Sequence, residues 1–116
     1  MVKWKIPENS DKFVREVLAL EADDIPLEKI NEGRWIVDEL SIDEIMVNEE
    51  MIQNHNKQKI HINRRDKFID SINEGKEIYP LIVIGENLFL VDGYARYRAL
   101  KQLGVDFVEV FRQEFR

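Results

Sequence analysis

The stretch that most constrains this chain is "LIVIGENLFLVDGYARYRALKQLGVDFVEV", residues 81–110. Two apolar runs surround Gly85-Glu86-Asn87, the pattern of a β-hairpin. Asp92-Gly93 makes the next turn. "YARYRALKQLG" has helical spacing and stops at Gly104, a residue suited to the position just past a helix end. "FVEVF", Phe107 to Phe111, predicts a closing strand. Strands with interspersed helices predict an α+β domain.

Upstream signals are weaker. "VKWKI", Val2 to Ile6, alternates like a short strand before Pro7. Ser10 is a good N-cap for a helix over "DKFVREVLALEA". Phe13, Val14, Val17 and Leu18 make its stripe, with Leu20 to the side, and "DDIP" ends it. "GRWIVDEL", Gly33 to Leu40, predicts a strand, with Ile42 and Ile45 apolar beyond it. Asn48 to Arg65 is polar and without clear period, so a long irregular segment is expected. A short helix over Arg65–Glu74 follows, with Phe68, Ile69 and Ile72 on one side and Gly75 as its stop.

With 116 residues, one domain with a single modest core is expected. Apolar residues make up 44% and charged residues 34%, which fits a soluble globular class. No apolar run approaches the ~20 residues that span a bilayer. The start "MVKWKIPENS" lacks the apolar core of a signal peptide. With no cysteine, disulfides, zinc thiolate sites and cysteine nucleophiles are excluded. A cytoplasmic setting is the expectation. The net charge of -6, from 23 acids against 17 bases, makes a poor stand-alone DNA binder, because DNA affinity rests on neutralising phosphates.

The turn at residues 92–98 carries the chemistry. Arg96, Ala99, Leu100 and Leu103 share one helical face, so Arg96 is aimed inward at the helix start. Arg98 aligns with Lys101 and Gln102, which reads as a solvated face. A helix start offers unpaired N–H groups and partial positive charge to an anion. Gly93 lets a ligand approach the backbone. Arg96 adds a fork matched to phosphate oxygens. Asp92 has the chemistry to hold a Mg²⁺ ion riding on a nucleotide. The bland alternative is a plain turn followed by two solvent-facing arginines.

Pro80 to Val110 resembles the core of the ParB/sulfiredoxin superfamily. The shared features are a proline leading an apolar strand, a second strand, a Gly-x-x-Arg turn, an alanine-bearing helix, Leu-Gly and a closing strand. "LSIDEIMVNEE" resembles the family's first strand and loop, and "DKFIDSINEGKEIYP" the helix before the proline. The resemblance covers roughly Trp35 to Phe111. It implies a small α+β fold over residues 35–116 behind an N-terminal extension, 1–34. It also implies a nucleotide phosphate site at Gly93, Tyr94 and Arg96.

Three branches of the family differ at this turn. Sulfiredoxins carry a catalytic cysteine where Tyr94 and Ala95 stand, so their chemistry is excluded here. Chromosome-partition ParB proteins carry Gly-Glu-Arg-Arg, bind CTP and continue into a helix-turn-helix region; no such region is expected after Arg116. Free-serine kinases of this fold carry Asp-Gly-His-His-Arg, matched at Asp92, Gly93 and Arg96. Their catalytic glutamate falls at Glu49, with Glu50 adjacent, and their serine ahead of the proline at Ser71. Both turn histidines are replaced here.

The resemblance therefore implies ATP, ADP or CTP with Mg²⁺: Arg96, Gly93, Tyr94 and Ser71 at phosphates, Asp92 at the metal, and Glu49 as base. Glu49 and Ser71 also read as solvated residues. The leading expectation is a nucleotide-binding domain with kinase or nucleotide-hydrolase activity. The alternative is a non-catalytic module binding a nucleotide, a protein partner or a DNA-associated complex, with homodimerisation open. The ParB-like nuclease label fits least, because no compact set of convergent carboxylates stands out. His55 and His61 read as loop histidines rather than metal ligands. Arg64 and Arg65 read as solvated charges or a second anion contact. Trp4, Trp35, Phe13, Phe107, Phe111 and Phe115 read as core or interface.

Overall fold

A computed structural model describes residues 1–21 and 24–115. The expected helix end at Ala22-Asp23 lies outside the described residues. Two short parallel strands, β1 (Lys3–Trp4) and β3 (Glu77–Ile78), pair with each other. The main sheet contains β2 (Arg34–Ser41), β4 (Leu81–Ile84), β5 (Phe89–Asp92) and β6 (Phe107–Glu114), in the order β2-β6-β4-β5. β6 runs antiparallel to β2 and parallel to β4, and β4 and β5 form the expected hairpin. The sheet is therefore mixed, and the domain is α+β.

The apolar pattern of the two central strands decides how the sheet is covered. Leu81 and Val83 of β4, with Val108 and Val110 of β6, face one core cluster. Ile82 and Phe111, the alternate positions, face the other. A strand apolar on both faces needs a layer on each side. On the first side lie α4 (Lys59–Asn73) and α5 (Tyr94–Gln102), bringing Ile72, Tyr97, Ala99 and Leu100. On the second lie α1 (Ser10–Glu21) and the short α2 (Leu27–Ile30), bringing Val14, Leu18 and Ile30. Residues 1–34 thus supply a whole layer of the core. Trp35 closes it: its indole Nε1 donates to Ile30 O at 2.9 Å and its backbone N–H to Asp11 Oδ1 at 3.0 Å.

Several local expectations are corrected. Ser10 is the first residue of α1; Asn9 is the cap, its Oδ1 accepting from Lys12 N and its carbonyl from Phe13 N. The segment expected to be irregular is helical: α3 (Glu49–His55) and α4, joined by Asn56-Lys57-Gln58. Asn48 caps α3 by accepting from Met51 N at 3.0 Å, with Glu49 and Glu50 in the first turn. The expected helix at Arg65 in fact begins at Lys59, so His55, His61, Arg64 and Arg65 are helical. α3 buries no residue fully and α4 only Ile72. An apolar stripe that thin gives a weak period.

Of the aromatics expected in core or interface, Phe111 and Trp35 are fully buried, whereas Phe107 and Phe115 are exposed and not core. Among the described residues, no helix is long and apolar enough to cross a membrane.

Candidate phosphate-binding cleft

β5 ends at Asp92, and the chain turns through Gly93 into α5. Gly93 has φ 101°, in the left-handed region. A Cβ there would sit 2.8 Å from Arg96 Nη2 and 2.9 Å from Leu81 Cδ2, so only glycine fits. Arg96 folds back over this turn. Its Nη2 donates to Asp92 Oδ2 at 2.8 Å, and its Nη1 to the carbonyls of Tyr79 at 3.0 Å and Pro80 at 3.2 Å. Arg96 is therefore aimed inward, where it braces the turn against the start of β4. No side chain caps α5. The first intrahelical bond is Tyr97 N to Gly93 O, which leaves the N–H groups of Tyr94, Ala95 and Arg96 without a capping side chain.

The Tyr94 hydroxyl is a staple. It accepts from Asn48 N at 3.1 Å and donates to Leu90 O at 3.0 Å, joining the α3 cap to β5. Burial pushes the phenol pKa up, opposed by the Asn48 hydrogen bond, so the hydroxyl keeps the proton it donates.

This helix start opens into a cleft of about 1060 Å³. α1 contributes Phe13, Val17 and Glu21 to it; α3 and α4 contribute His55, His61, Arg64, Phe68 and Ser71. Tyr79, Pro80 and Ile82 form further wall, beside Asp92 to Arg96 and Lys5. Phe13 stacks on Tyr79 with centroids 4.8 Å apart, and Lys5 Nζ lies 5.3 Å from the Tyr79 ring. The cleft has an aromatic part and an anion-suited part. The His55 and His61 rings stack at 3.7 Å, with Tyr94 edge-on to His55. Burial, helped by His61 and by Arg98 and Arg64, holds the His55 pKa below its ordinary value.

Of the residues singled out in the sequence, the structure brings Asp92, Gly93, Tyr94, Arg96 and Ser71 into this one cleft. Glu49 is elsewhere: exposed at the start of α3, it lines a separate groove with Arg65, Arg98 and Lys101. Arg98 reverses its expectation. It is 5% exposed, its Nε donating to Asn56 Oδ1 at 2.8 Å and its Nη1 to His61 O at 3.1 Å. Helical phase alone placed it in water; α3 and α4 cover that side of α5.

Glu21 was missed. It lines the cleft with Asp92, and that neighbouring carboxyl, ahead of burial, pushes its pKa up, opposed by Arg96. It comes from α1, and no local signal in the sequence joins it to the turn. Among the described residues, no group of three or more metal-ligating side chains occurs. Two adjacent carboxylates do suit a Mg²⁺ ion that brings phosphate and water ligands with it.

No protein-family model matches the chain, and no curated protein does. Solved structures do. A Pnob8-like ParB-N domain structure superposes with TM-score 0.53 at 26% identity over 71% of this chain. A pNOB8-like ParB N-domain structure gives 0.52 at 27% identity over 71%. The chain spans only 31% and 28% of the lengths of those two chains. Sulfiredoxin from Arabidopsis thaliana gives 0.52 at 18% identity, covering 68% of this chain and 85% of that one. The chain thus has the ParB/sulfiredoxin-like α+β fold.

Proposed function

We propose that the chain is a nucleotide-binding domain that holds phosphates at the start of α5. One observation carries this reading. The uncapped α5 start opens into a large cleft that also holds Arg64, His61 and the Phe13–Tyr79 stack. Uncapped N–H groups and a helix dipole favour an anion, and the aromatic part suits a base or sugar face. Arg96 acts mainly by holding the Gly93 turn in shape, since its hydrogen bonds go to Asp92 and two carbonyls. Asp92 and Glu21 would hold Mg²⁺ carried by ATP, ADP or CTP, which relieves the repulsion between their carboxylates. The likeness to ParB N-domain structures supports the reading, and an intracellular setting goes with it.

The position of Glu49 favours binding without catalysis over a kinase or hydrolase. A base must reach the proton that it abstracts, and Glu49 lines a different groove from the phosphate cleft. The domain then acts as a nucleotide-responsive module toward a protein partner or a second copy of itself.

Thermal shift with ATP, ADP, CTP and GTP, each with Mg²⁺, tests this. At least one nucleotide is expected to raise the Tm. Arg64→Glu, at an exposed position, should weaken that ligand by roughly tenfold, about 1.4 kcal/mol, with the ligand-free Tm little changed. Chelating Mg²⁺ should also weaken it. If no nucleotide raises the Tm, the reading is wrong.

A further inference from the structure

The groove that holds Glu49 has a charge imbalance. It measures about 500 Å³ and lies where α3, α4 and α5 meet, lined by Asn56, Arg65, Tyr97, Arg98 and Lys101 as well. Arg65 is paired with Asp66 at 3.0 Å and Lys101 with Asp43 at 3.3 Å, both through partly exposed side chains. Arg98 is not paired. Its hydrogen bonds go to two neutral acceptors, Asn56 Oδ1 and His61 O. Its Nη2 is buried with no acceptor at all. Among the described residues no carboxylate lies within ion-pair distance of it.

A buried guanidinium without a counter-charge is costly, and natural structures rarely leave one so. The surroundings make the deficit worse. Burial pushes the Arg98 pKa down, Arg65 pushes it further the same way, and Asp66 only partly opposes. The missing component is negative. We propose that this groove binds a phosphate-type oxyanion between Arg65, Lys101 and the Arg98 guanidinium beneath them.

Two forks and an ammonium match the several oxygens of such a group. Nη2 is buried, so the anion meets Arg65 and Lys101 first and reaches Arg98 Nη2 after a side-chain shift. Glu49 lines the groove as its one carboxylate, and its charge opposes an incoming dianion. The site is distinct from the cleft at α5's start. The two meet at His61, which lines the cleft while its carbonyl accepts from Arg98.

The test is a titration of the whole chain with inorganic phosphate, with chloride holding the ionic strength constant. The readouts are Tm and the NMR signal of the Arg98 Nε–H. Wild type should show a saturable shift of that signal and a rising Tm. Arg65→Gln combined with Lys101→Gln should weaken phosphate by roughly tenfold or more, while Arg64→Gln, in the cleft, should not. Glu49→Gln should strengthen it. No saturable shift overturns the proposal. So does a phosphate response lost in Arg64→Gln and kept in the double variant, which places the anion in the cleft. A Glu49→Gln variant with lower Tm and unchanged phosphate affinity also overturns it, because Glu49 is then the internal counter-ion. Nucleotide binding that depends on Arg64 stands or falls separately.

Discussion

At the scale of single residues, Gly93 and Asp11 carry structural demands that water cannot meet. Gly93→Ala places a methyl group against Arg96 and Leu81 at a backbone angle that L-residues rarely adopt. It should cost roughly 1–3 kcal/mol, seen as a lower urea midpoint. Asp11 accepts from Arg15 Nε at 2.9 Å and from the backbone of Trp35. The Arg15 hydrogen bond comes first among the causes that hold its pKa below the ordinary value, against burial. A lowered folded pKa means stability that is present above the unfolded pKa and is lost as pH falls through the folded one. Asp11→Asn should therefore lower the Tm at neutral pH, and the gap to wild type should close in acid. Glu21 works with the opposite sign. Its raised pKa favours folding at low pH, and that contribution is lost as pH rises through the folded value. Glu21→Gln should flatten the decline in Tm across that range.

At the scale of elements, α3 is thinly anchored. It has seven residues, none fully buried, and is held by its cap and by the Tyr94 hydroxyl. Asn48→Ala should cost about 1 kcal/mol, and Tyr94→Phe about as much. In hydrogen exchange, both should speed the α3 amides more than those of β4 or β6. The same thinness explains why α3 and the first turns of α4 were illegible. Their apolar stripe is too sparse to print a period, and the Asn48 cap has no strong helix behind it to mark. The β4–β5 hairpin, α5 and β6 were legible because both faces of the central strands are buried, which fixes apolar runs and glycine turns in the residues themselves.

For the whole molecule, the extension and the family-like domain are one packing unit. α1 and α2 cover Trp35, Ile82 and Phe111. Gln113 ties them further, its Nε2 donating to Lys29 O and Glu32 O and its Oε1 accepting from Gly85 N. A chain lacking residues 1–31 should expose that face and lose cooperative thermal unfolding, measured by calorimetry. Retention of a sharp transition would show that the other layer suffices.

The sequence by itself determined the α+β class, the hairpin, the Gly93 turn and the inward aim of Arg96. These follow from alternation, helical phase and the steric freedom of glycine, which act over a few neighbouring residues. The tertiary structure decided the rest. It drew Glu21 and Ser71 to the α5 start, set Glu49 apart from it and buried Arg98, because these positions depend on elements distant in sequence. Helical phase gives the direction in which a side chain leaves its helix; packing against α3 and α4 decides whether water or protein lies there.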